Sequence, residues 1–104
     1  MHISCTYGIA DMAKEFGLTL RALRFYESRG LINPTRDGTA RVYSEADRQR
    51  IGEITRMRKL GFTVREIKTG RFPREKFQEQ LAIARQQRAE IDQIITELEQ
   101  RVAA

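Results

Sequence analysis

The chain has 104 residues, 40% of them hydrophobic, and a formal net charge of +5, which bounds it to one domain or a small domain with an appendage. No apolar run approaches the ~18 residues of a membrane span, the N-terminus lacks the basic-then-apolar layout of a secretory signal, and one cysteine, Cys5, excludes an internal disulfide framework and fits a reducing cytoplasm. Residues 1–70 hold 13 Lys/Arg against 8 Asp/Glu while residues 71–104 hold 6 of each, so the positive field belongs to the front and the tail has another task.

Ile9, Met12, Ala13 and Phe16 recur at helical spacing and Gly17 is a stop, which predicts a first helix over about residues 8–16. Thr19 offers an N-cap hydroxyl for a second helix over roughly residues 20–29, ended by Gly30. Two short helices with a Gly-containing turn make a helix-turn-helix candidate, a weak signal alone. Leu31, Ile32, Asn33 and Pro34 form an apolar step closed by a helix breaker. Asp37-Gly38 then predicts a hairpin turn, because both central residues must tolerate positive φ. The flanks, residues 34–36 and 39–43, are short and basic, so the hairpin reads as a small wing.

Ser44 and Asp47 match the capping pattern that opens a third helix, with Ile51, Ile54, Met57 and Leu60 on its buried face and Gly61 at its end. Thr63 and Glu66 repeat the pattern for a short fourth helix, and Phe62 and Ile67 stand at the positions of a hydrophobic staple. Residues 70–73 form a break. From Arg74 onward there is no Gly or Pro, and good helix formers dominate.

That tail carries a seam: Phe77, Leu81, Ala84, Arg88, Ile91, Ile95, Leu98 and Val102 alternate spacings of four and three, the a/d pattern of a coiled coil. A helix of about 29 residues, roughly 43 Å long, is too long to bury such a stripe on its own head. The chain has no spare helix, so the seam predicts a homodimer. Arg88 is the charged exception and needs a partner. In an antiparallel pair with centred seams it would lie beside the partner's Ile91, near Glu90 and Asp92. Spacing alone leaves parallel and antiparallel arrangements open.

Between Leu18 and Tyr43, cationic groups sit beside aromatic rings, first on a helix and then on a hairpin, which suits a surface that grips a nucleic-acid backbone and reads a groove. The ordered string is Thr19-x-x-x-Leu23-Arg24-Phe25-Tyr26-Glu27, Gly30-Leu31-Ile32-x-Pro34-x-Arg36, Arg41-x-Tyr43, Asp47, Leu60-Gly61-Phe62 and Glu66-Ile67. It resembles the MerR family of bacterial transcription regulators over about residues 7–67, in a short form without an effector-binding C-terminal domain. The resemblance implies a mainly α fold. A winged helix-turn-helix DNA-binding head, residues 1–70, would be followed by a dimerisation helix, residues 74–104, in an antiparallel coiled coil.

It further implies a cytoplasmic, nucleoid-associated protein whose homodimer binds promoter DNA between overlong-spaced −35 and −10 elements. Bending and untwisting that spacer lets RNA polymerase engage both, an indirect readout used as a switch. Two departures stand out. Phe25 occupies a position where the family often has Tyr, and Thr39-Ala40-Arg41 replaces the usual Gly-Tyr-Arg of the wing. The sensing segment that metal- or drug-responsive members carry after the coiled coil is not expected here, so no small-molecule effector is expected either.

Carried onto these positions, Arg21 is expected at base edges, where a guanidinium bonds guanine, and Arg24 at phosphate. Leu23 is assigned to the core. Tyr26 either reaches phosphate through its hydroxyl or packs semi-buried. Arg41 contacts backbone or minor groove with Tyr43 supporting it, or else pairs with Glu27 or Glu45. Arg36 flanks the same turn. Lys59, Thr63 and Arg65 surround the fourth helix's start, where free N–H groups favour an anion, although Thr63 is equally a cap. Thr19 and Phe25 complete the DNA-binding set.

His2 and Cys5 are the chain's only His and Cys, too few for a metal site. No metal or other cofactor is expected. No nucleophile has a base at motif distance and no phosphate-binding Gly-rich loop is present, so enzyme activity is not expected. Two other classes remain open: an architectural or excisionase-like DNA bender, distinguished by where its sites lie, and a coiled-coil adaptor, eliminated by salt-sensitive duplex binding.

Overall fold

A computed structural model describes residues 6–104, and the chain divides after Arg71 into two compact units. The expectations for His2 and Cys5 lie outside the described residues. In the first unit, α1 (Ile9–Phe16) begins at Gly8, whose N–H donates to the Asp11 carboxylate at 2.9 Å. Met12 is fully buried, and Ile9, Ala13 and Phe16 pack against the core around it, as their spacing predicts. In α2 (Leu20–Ser28), the Thr19 hydroxyl accepts the Ala22 N–H at 3.0 Å, satisfying one of the donors a helix start leaves open. Leu23 and Tyr26 form its buried face.

Among the described residues, three short strands make one antiparallel sheet: β1 (Thr6–Tyr7), β2 (Thr35–Asp37) and β3 (Ala40–Ser44), in the order β1-β3-β2. Strand β1 was not predicted, since two residues carry no alternation to read. The hairpin turn falls one residue later than its sequence suggests. Asp37 stays in β2 opposite Ala40, so Gly38 and Thr39 are the central pair. Only Gly38 takes positive φ, at +63°, and a turn needing that conformation once places glycine first.

Ser44 opens α3 (Glu45–Lys59) through a reciprocal cap with Asp47. Ile51 and Ile54 are fully buried, but Leu60 is 43% exposed, contrary to its expected place on the buried face. The helix has ended by then. The Gly61 N–H donates to the Arg58 carbonyl and the Phe62 N–H to the Met57 carbonyl, the two bonds of a Schellman closure. With Gly61 at φ +99°, the chain turns and sends Phe62 into the core in place of Leu60. A second reciprocal cap, Thr63 with Glu66, starts α4 (Val64–Thr69). Phe62 and Ile67 are both buried beside it, at the two staple positions. The head is a winged helix-turn-helix on one core.

The second unit is α5 (Arg74–Ala103), 30 residues with none buried, about 45 Å of helix. Along the seam, Phe77, Leu81, Ile91, Ile95, Leu98 and Val102 are exposed large apolar side chains; Ala84 and Arg88 are exposed as well. Among the described residues, no helix is long and apolar enough to cross a membrane.

Candidate nucleic-acid interface

The start of α2 presents its cations outward. Arg21 and Arg24 are exposed and have no ion-pair partner among the described residues. Their three-residue spacing puts them on one face, while Leu23, fully buried, anchors the opposite side. Thr19, exposed at the cap, fixes where that face begins.

Further along α2, Glu27 reaches the wing. One carboxylate oxygen accepts from Arg41 Nε of β3 at 2.8 Å and the other from an Arg36 guanidinium nitrogen of β2 at 2.8 Å. Two hydrogen bonds to one ionised acceptor are stronger than neutral ones. The side chains of Arg41 and Glu27 are each 22% exposed, so solvent screens that pair only in part. Of the two acids open to Arg41, Glu27 is the one it pairs with. Arg36 joins the same acid, which its sequence position did not announce.

Tyr43 is wholly buried behind this clamp, and its hydroxyl has no hydrogen-bond partner among the described residues. Burial pushes its phenol above the ordinary range, opposed by the positive charge of Arg41 and reinforced by Glu27. It therefore supports the wing from within. Tyr26 is 6% exposed and belongs to the core cluster.

On the other flank of α2, Phe25 is exposed and the Arg29 guanidinium lies 5.2 Å from its ring centroid, a cation–π distance. With Arg58, Thr63, Val64, Arg65 and Lys68 this pair lines an open cleft of about 600 Å³. Thr63 is both cap and lining residue. Lys59, at the last position of α3, is exposed and is not among the lining residues. Arg29, Arg58 and Lys68 were missed in the sequence. The signal for Arg29 was its place one turn after Phe25; Lys68 follows Arg65 by three residues on α4. Arg58 is held by donating to the Phe62 carbonyl at 2.8 Å, a bond no spacing rule gives.

A third polar cluster braces the scaffold. The Tyr7 hydroxyl donates to Glu45 at 2.8 Å, and Arg48 spans Glu45 and Glu15. The Tyr7 bond, then Arg48, holds the Glu45 carboxyl below its ordinary value. Glu15, then Glu45, pushes Arg48 further above its usual range. No group of acids, His and Cys among the described residues could hold a metal ion.

Two short helices joined by a turn and followed by a two-stranded hairpin make the head a winged helix-turn-helix protein. Residues 7–69 match the family described as MerR HTH family regulatory protein. The chain belongs to that family.

The HTH-type transcriptional regulator YfmP of Bacillus subtilis is 44% identical over 62 residues, covering 57% of this chain and 44% of that protein. The chain spans a quarter to a half of the length of the curated relatives it matches. Among solved structures, the N-terminal part of the Bacillus subtilis multidrug transporter activator, MtaN, is 26% identical with a TM-score of 0.60, covering 94% of this chain and 99% of that one. HiNmlR, a MerR family regulator lacking the sensor domain and bound to promoter DNA, is 25% identical with a TM-score of 0.57. The match covers 94% of this chain and 79% of HiNmlR.

Proposed function

We propose that this chain is a sequence-specific DNA-binding transcription regulator acting as a homodimer on promoter DNA. The observation that carries the reading is α2. It exposes Arg21 and Arg24 at its start and ties itself to the wing through Glu27, so one helix offers a groove-reading end and a fixed connection to a backbone-gripping hairpin. Arg21 takes base edges and Arg24 takes phosphate. Arg36, Arg41, Lys59, Thr63 and Arg65 extend the backbone contact on either side, with Thr19, Phe25, Tyr26 and Tyr43 shaping the surface that holds them. The promoter DNA bound to HiNmlR supports this assignment.

The second half of the proposal is dimerisation through α5. Its seam is exposed from Leu81 to Val102, and a second copy in antiparallel register buries it. Two heads at fixed separation would then grip a spacer and deform it so that RNA polymerase engages both promoter elements. Base-pair-resolution occupancy of the tagged protein, aligned to transcription starts, tests this. Peaks in overlong promoter spacers are the expected result; peaks away from promoters would leave a DNA-bending architectural protein in its place.

A further inference from the structure

Among the described residues of the head, three large apolar side chains are exposed: Leu20, Phe25 and Leu60. Leu60 caps the end of α3, and the Phe25 ring is covered by Arg29. Leu20 differs from both. It is 39% exposed, lies outside the core and the side chains packed on it, and is the first residue of α2. Its neighbour Leu18, two residues earlier, packs inward, so the apolar needs of the core are met without it.

A lone exposed leucine is ordinary on a protein surface. The placement of this one is not. In a helix, residues four and seven apart share a line, so Leu20 continues the row of Arg24 and Glu27 to the helix start. That start is the end of a recognition helix that meets base edges. Leu20 therefore stands one turn before Arg24, on the side from which Glu27 reaches the wing. An apolar side chain entering a major groove one turn before Arg24 meets one large apolar group there, the C5-methyl of thymine; the groups that otherwise mark base identity at that edge are hydrogen-bond donors and acceptors.

We propose that Leu20 reads a thymine methyl in each half-site, a specificity contact that rests on the DNA-binding reading of α2. Burying one methyl against it is worth about fourfold in affinity per half-site. The contact supplies discrimination that Arg21, bonding guanine, does not.

The test uses the full chain and a duplex selected from a random pool. Thymines in the selected site are replaced one at a time by deoxyuridine, which removes the methyl and leaves pairing unchanged. The expected result is one thymine per half-site whose methyl matters about fourfold to the unsubstituted protein and not at all to Leu20→Ala, with Leu20→Met restoring sensitivity at that same position. Two results would overturn the inference: no thymine sensitive to its methyl, or sensitivity that persists in Leu20→Ala. An equal loss for thymine and uracil sites in Leu20→Ala would likewise make the residue structural. A pool that never enriches fails differently, because it removes the DNA-binding reading and this contact with it.

Discussion

Glu27 on α2 and Arg41 on β3 meet at 2.8 Å, and through that contact the helix proposed to read DNA holds the wing proposed to grip it. An anionic residue at such a face repels phosphate, so if charge alone mattered Glu27→Gln would tighten binding. The clamp predicts the reverse. We expect Glu27→Gln to weaken duplex binding about tenfold, to lower stability by roughly 1–2 kcal/mol in urea unfolding, and to speed amide exchange in the hairpin. Tighter binding would show the acid to be an electrostatic bystander.

Arg21 and Arg24, without an ion pair among the described residues, give a salt signature. Each phosphate contact contributes ~0.9 to the slope of log affinity against log salt. Arg24→Ala is expected to lower that slope by about one for each subunit and weaken all sequences alike. Arg21→Ala is expected to relax preference at one base position, a loss of about 1–3 kcal/mol of discrimination. Titrations at two or more salt concentrations on matched and mismatched duplexes separate the two roles.

Ile91 sits mid-seam and is 56% exposed in the single chain. Replacing it with aspartate is expected to yield a monomer by sedimentation, with the head still folded, because the buried core cluster is built from residues of the first unit. Arg88→Leu is expected to strengthen association while admitting a second helix orientation, detectable by cysteine cross-linking at positions 81 and 98. A dimer that survives Ile91→Asp would place the interface elsewhere.

Tyr43 buries a hydroxyl with no partner among the described residues, and an unsatisfied buried group costs about 1–3 kcal/mol. Tyr43→Phe keeps the ring and removes the liability, so a gain of about 1 kcal/mol in unfolding free energy is expected. The folded phenol titrates above its ordinary 10.0, so its contribution is present below pH 10 and lost as the pH climbs beyond it. The variant's advantage should therefore widen above pH 10.

Glu45 works at the opposite end of the scale. Its folded carboxyl titrates below the ordinary 4.5, owing first to Tyr7 and then to Arg48. The resulting stability is present above pH 4.5 and disappears as the pH falls through the folded value. Thermal melts should show the gap between the unsubstituted protein and Glu45→Gln closing below pH 4.5.

Most of the head was legible because its signals are local. Caps at Thr19, Ser44 and Thr63 are written within four residues, and the staple of Phe62 and Ile67 within six. Strand β1 was hidden because its pairing partner lies 36 residues away, Tyr7 opposite Tyr43. Leu60 fitted the helical period but fell where backbone closure, rather than periodicity, decides which way the chain turns. In the candidate interface the arginines were visible by type. Glu27's hold on Arg36, nine residues along, and the lining of the cleft by Arg29, Arg58 and Lys68 needed the fold to bring them together.

Because β3 is the central strand, the hairpin is only half of what holds it. Thr6 and Tyr7 supply its other edge, and Tyr7 also anchors Glu45. A version of this protein started even two codons past Tyr7 would expose a strand edge open to pairing with other chains. It would also release the tether that fixes where α3 begins. Expression tags are thus safer at the far end, and a shortened form that aggregates would be reporting a missing edge strand rather than a failed DNA-binding head.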